Sequence, residues 1–122
     1  MLYVQAKAGP SPIHGLGLIA AEFIPAGAVV WRFQPGFDVI LSTEDISRLA
    51  PAAQKQVQNY AYACPFTRRF ILSSDDDRFT NHSDTPNTYF EAGCTRARRN
   101  IQPGEEITAN YREFDMTLPL CA

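Results

Sequence analysis

Seven glycines and nine prolines divide this 122-residue chain into pieces too short for a long helix. In a helix interior glycine costs about 1 kcal/mol relative to alanine and proline about 3 kcal/mol, whereas both suit turns. What the breakers leave is a series of short apolar runs of strand length. "LYVQAK" (2–7) predicts a first strand, and "AGPSPIHGLG" (8–17) a loop. In "LIAAEFIPAGAVVWRF" (18–33) the Pro25 to Gly27 turn predicts two strands paired in hairpin fashion, the second rich in Val29, Val30, Trp31 and Phe33. "RRFILSS", "NTYFEAG", "CTRARRNI" and "EEITANY" continue the pattern, separated by Asp75 to Asp77, by Gly93 and by Pro103–Gly104.

One stretch reads differently. "STEDISRLAPAAQKQVQNYAY" (42–62) opens on Ser/Thr with early acidic residues, as a capped helix does, and places Ile46 and Leu49 on one face. Pro51 can open a second helix at its first turn, carrying Val57 and Tyr60 inward. The expected fold class is mostly β with a short helical insert, in a single domain over 1–122, since two cores would each be too thin at this length.

Charge narrows the function classes. Eleven basic and thirteen acidic residues nearly cancel, which removes the broad positive field that nucleic-acid binding draws on. Arg68–Arg69 and Arg96, Arg98 and Arg99 read as solvated edges, and Asp75 to Asp77 as a turn, with a rim that attracts a basic peptide as the alternative. Cys64, Cys94 and Cys121 are odd in number, widely spaced and without a CxxC pair, so neither a zinc site nor a disulfide framework is expected. The two histidines, His14 and His82, have no paired ligand spacing, and no metal site is expected there either. With no leader-like or membrane-spanning run, the expected location is cytoplasmic, or the nucleoid or nucleus if the substrate is chromatin-like.

Three fragments ask for a joint explanation: "HGLG" (14–17), "RFTNHS" (78–83) and "GEEITANY" (104–111). Singly, each is also what an ordinary turn or strand entry looks like. In this order, with "IPAGAVV" between the first two and Pro86–Asn87 after the second, they resemble the SET domain family of protein-lysine methyltransferases, over about Gly15 to Tyr111. The motif-bearing part spans about 13–114, with 115–122 as a C-terminal tail, and the chain is similar to the compact members of the family, such as the small viral ones.

The resemblance implies a β-clip-like fold of several small sheets with a knot-like C-terminal crossing that brings the asparagine-histidine segment to the final tyrosine. It implies S-adenosylmethionine as cofactor, S-adenosylhomocysteine as product, and a lysine-bearing protein or peptide as partner. Tyr111 matches the catalytic tyrosine; Gly15, Leu16, Gly17, Asn81, His82 and Phe114 match positions that hold the cofactor, with a Cβ at either glycine expected to obstruct it; Phe33, Tyr60 and Tyr62 are the candidates for the lysine channel. The chain departs from its relatives in having Phe33 where many carry a tyrosine, Asp84 where a cysteine is usual, and no cysteine triplet after Tyr111. The lid over the site must then be built differently, and a homodimer in which a second copy closes it is one way. A catalytically weak or inactive SET-like module that holds a lysine-containing peptide is the alternative function.

Overall fold

The computed structural model of the chain describes residues 1–63 and 69–116, the side chains at 63 and 114–116 excepted. Cys64, Arg68, Cys121 and the tail beyond Met116 lie outside the described residues. In chain order the elements are β1 (Ala6–Pro10), β2 (Leu16–Ala20), β3 (Val29–Arg32), β4 (Val39–Leu41), α1 (Thr43–Ser47), α2 (Pro51–Tyr60), β5 (Tyr62–Ala63), β6 (Phe70–Leu72), a 3₁₀ turn (Asp76–Phe79), β7 (Asn81–His82), β8 (Thr88–Glu91), β9 (Cys94–Ala97), β10 (Glu106–Ala109) and α3 (Tyr111–Met116). The mostly β class with a helical insert is what the chain forms. No helix among the described residues is long and apolar enough to cross a membrane.

The strands make three small sheets, ordered β1-β2-β10-β7, β3-β9-β8 and β4-β6-β5. β1 and β2 are antiparallel from Ala6↔Ala20 to Pro10↔Leu16. β10 pairs with β2 through Glu106 and Ile107, antiparallel, and with β7 through Thr108 and Ala109, parallel. The β8–β9 hairpin turns through Ala92 and Gly93, both at positive φ, as a type I′ turn requires of its two central residues. Ser42 caps α1 in a reciprocal box: its hydroxyl accepts the Asp45 N–H at 3.0 Å while the Asp45 carboxylate accepts the Ser42 N–H at 2.9 Å. Pro51 opens α2 and Val57 is that helix's buried residue, as the capping pattern predicts.

The hairpin expected over 18–33 does not form. Its turn is present, but β2 and β3 belong to different sheets. Ile24 pairs with Ile101 instead, through reciprocal backbone hydrogen bonds of 2.9 and 2.8 Å, and both side chains are fully buried. A long-range contact that buries two isoleucines outweighs the local turn. The first strand likewise starts at Ala6 rather than Leu2, because Leu2 bridges Trp31 of β3.

Two packed clusters share β10. Leu18, Ala20, Ile24, Val30, Ala97, Ile101 and Ile107 form the first; Trp31, Ile71, Phe90 and Ala109 form the second, with Phe33, Ile40 and Tyr62 packed against it. The opposite edge of β10, to which Glu106 and Thr108 turn their backbone groups, is completed by a side chain. Asn87 Oδ1 accepts the Thr108 N–H at 2.9 Å, and its Nδ2 donates to the Glu106 carbonyl at 2.8 Å. This amide stands in for the next residue of a strand. Asn87→Ala should leave both backbone groups buried and unpaired and cost about 2–4 kcal/mol, measured as a lowered midpoint in urea unfolding.

Candidate active site

The site is assembled around two residues of β7. Asn81 Nδ2 carries two hydrogens and lies among four acceptors: Glu106 Oε2 at 2.9 Å, the Leu16 carbonyl at 3.0 Å, Ser11 Oγ at 3.2 Å and the His14 carbonyl at 3.3 Å. Ser11 Oγ in turn donates to Glu106 Oε1 at 2.6 Å and accepts the Ile13 N–H at 3.0 Å. One amide and one carboxylate therefore tie the 11–16 loop to β7 and β10. The two glycines divide the work. A Cβ on Gly17 would come within 2.5 Å of Glu106 Oε2, so its bare backbone is what lets the carboxylate lie across β2. Gly15 has φ +38° with nothing within 4 Å of an added Cβ; its requirement is conformational, and it faces open space.

Tyr111 begins α3 and is fixed at three points. Its backbone N–H donates to His82 Nδ1 at 3.1 Å. Because that nitrogen accepts, the neutral ring carries its hydrogen on Nε2, which donates to Asp84 Oδ1 at 2.9 Å. The Tyr111 hydroxyl donates to the Thr80 carbonyl at 2.5 Å. Its ring stands edge-on between His82, at 5.2 Å between centroids, and Tyr62, at 6.3 Å. Burial and the neighbouring Asp77 charge both push the phenol pKa up, so the hydroxyl keeps its proton at neutral pH. With that hydrogen directed at Thr80, what Tyr111 offers a ligand is lone-pair density.

A hollow of about 700 Å³ opens between these parts, within the size range of small-ligand sites. Ile13 to Leu16 form one wall, Gln58 to Tyr60 of α2 another, and Arg78 to His82 with Tyr111 the floor and remaining side. Of the residues singled out in the sequence, Gly15, Leu16, Asn81, His82, Tyr60 and Tyr111 line it. Gly17 lies beside the wall under Glu106. Tyr60, a channel candidate, sits in this hollow, edge-on to Phe79 at 5.3 Å. Phe33 and Tyr62 pack instead against the Trp31 cluster, and the Phe114 side chain lies outside the described residues.

Several residues that build the site have no role that the motifs assign: Ser11 lies outside them, and Glu106 and Thr80 stand unassigned within "GEEITANY" and "RFTNHS". Ser11 and Glu106 hold Asn81, and Thr80 anchors Tyr111 through a backbone carbonyl, which any residue type possesses. Asp75 to Asp77 do lead into a turn, as their composition implies, but Asp77 is only 4% exposed. Among the described residues, no cluster of three His, Cys, Asp or Glu side chains could hold a metal ion.

No curated protein sequence matches the chain. Among solved structures, that of a Plasmodium falciparum protein described as a candidate histone methyltransferase is similar, with a TM-score of 0.63 and 23% identity over 90% of this chain and 95% of that one. At that identity the likeness establishes the fold. The model of the SET domain matches residues 15–112, running from the first wall of the hollow to just past Tyr111. The chain belongs to the SET domain family.

Proposed function

We propose that the protein transfers a methyl group from S-adenosylmethionine to a lysine side chain of a protein substrate. The observation that carries this reading is that Gly15, Leu16, Asn81, His82 and Tyr111, drawn from three distant parts of the chain, line one hollow. The residues suit the cofactor. Gly15 leaves open space where another residue would place a Cβ, the volume is of ligand size, and the wall combines apolar Ile13 and Leu16 with the polar edge of β7. Gly15, Leu16, Asn81 and His82 would hold it. When bound, S-adenosylmethionine supplies the methyl group on a positively charged sulfur.

The chain's own contribution is position and electrostatics. Tyr111, with its hydrogen spent on Thr80, turns acceptor lone pairs toward any electron-poor group beside it, without a proton transfer of its own. His82 fixes the start of α3 and Asn81 fixes the loop opposite, so the two walls keep a constant spacing, which is what an in-line displacement requires. The incoming amine must be neutral, against an ordinary lysine pKa of about 10.4. Aromatic surroundings and a nearby cation both disfavour the ammonium form.

Two variants separate catalysis from binding. Tyr111→Phe should lower the rate of methyl transfer by on the order of a hundredfold or more, while affinity for S-adenosylhomocysteine, measured by calorimetry, changes less than about threefold. Asn81→Ala should release the 11–16 loop and weaken that affinity on the order of tenfold. A wild-type chain that binds no S-adenosylhomocysteine and transfers no labelled methyl group to protein would sink the proposal. Binding without transfer would favour the peptide-holding module.

A further inference from the structure

The Tyr111 anchor rests on a second, buried layer. Asp77 Oδ2 accepts Ser73 Oγ at 2.7 Å and Tyr62 Oη at 3.2 Å. Thr80 Oγ1 donates back to this turn, lying 2.7 Å from the Asp77 carbonyl and 3.3 Å from Oδ1. Thr80 and Tyr62 are two of the three residues that hold Tyr111, one by its carbonyl and the other by its ring. A single carboxyl thus joins the segment before the turn, the strand β5 and the residue that receives the Tyr111 hydroxyl.

We propose that Asp77 is a positioning residue of the methyl-transfer site, acting through Thr80 and Tyr62 on Tyr111, and that transfer requires its carboxylate form. This rests on the methyltransferase reading above. As a carboxylate, Asp77 can only accept, so the Ser73 and Tyr62 hydroxyls both point at it. Protonated, it becomes a donor on one oxygen: on Oδ2 the proton displaces one of those hydroxyls, and on Oδ1 it faces Thr80 Oγ1, on the residue that receives the Tyr111 hydroxyl. A negative charge behind the aromatic wall also favours positive charge developing on the substrate nitrogen.

Among the described residues, these groups bear on Asp77. Asp75 raises its pKa and the Met1 amine lowers it, Tyr62 faces it from β5, and Tyr111 from α3. On its own turn Asp76 accepts the Ala8 N–H and the Arg78 guanidinium donates to the Ser73 carbonyl. β1 carries Lys7, which is exposed, and β2 has no charged side chain. His82 and Asp84 stand on the far side of Tyr111. Burial is the largest influence and carries the carboxyl up to about 6, so at pH 7 the ionised form prevails at a cost to stability. That cost has a definite sign. The carboxyl's contribution to stability is full below its ordinary 3.8 and is lost as pH rises through about 6.

The test uses the full chain, methyl-labelled S-adenosylmethionine and core histones as acceptor, with maximal rates from about pH 5 to 9. In the wild type the logarithm of the rate should steepen by one further proton below about pH 6. Asp77→Asn, of equal shape, should lower the maximal rate on the order of tenfold at pH 8, leave the KM for S-adenosylmethionine within about threefold, and abolish the steepening. Its thermal midpoint should gain on the wild type as pH rises from about 4 to 7. Ser73→Ala, which removes a hydrogen bond that lowers this pKa, should move the steepening to higher pH. An Asp77→Asn protein that matches the wild type at every pH, or keeps the same acid limb, overturns this inference. A wild-type chain that neither binds S-adenosylhomocysteine nor transfers a methyl group overturns the methyltransferase reading, and this inference with it.

Discussion

Strand β10 carries two other strands end to end, and the site exists only because it does. Its first half meets β2, which brings the loop ending at Leu16; its second half meets β7, which brings Asn81 and His82. Each partner would otherwise present unpaired backbone groups at a sheet edge, a cost the interior does not tolerate. Once β10 is inserted, Glu106 at its start reaches Ser11 and Asn81, and Tyr111 just past its end reaches His82 and Thr80. A strand of four residues therefore sets both ends of the hollow. The two core clusters reinforce it, since Ile107 packs in one and Ala109 in the other.

Polar groups in this region follow one economy. Asn87 replaces a missing strand neighbour, Asn81 knots a loop to a sheet, and Asp77 collects hydroxyls beneath an aromatic wall. Each is buried or half-buried, so each must be paired. The pairing in turn leaves few alternative geometries for Tyr111. Rigidity of that kind suits a reaction that depends on alignment more than on proton shuttling. Asp77 is the member of this set whose burial costs most, because its charged form is the one most penalised by loss of water.

Legibility in the sequence tracked the range of the interaction. The capped start at Ser42, Pro51 at the head of α2 and the turn through Asp75 to Asp77 follow from side chain and backbone within a few residues, and the structure has all of them. The Pro25–Gly27 turn was equally legible, yet its two flanking strands parted, since a turn says where the chain reverses and not which strand it will pair with. Ile24 found Ile101, a partner far along the chain that no local pattern names. Asp77 shows the same limit for chemistry. Three consecutive aspartates read as a turn, and only the packing of β5 and the segment before the turn takes one of them out of water.

The sequence by itself determined the breaks, the strand-rich class and, through the order and spacing of "GLG", "RFTNHSDTPN" and "GEEITANY", the family. Those are properties of residue type along a line, where glycine, proline and motif spacing act locally. The tertiary structure alone decided that Gly17 yields space to a carboxylate while Gly15 faces the hollow, that Tyr60 lines it while Phe33 and Tyr62 pack behind, and that Asp77 is buried. These depend on which distant backbone edges pair and which faces then meet, and burial, the main cause of the Asp77 shift, exists only after the chain has closed on itself.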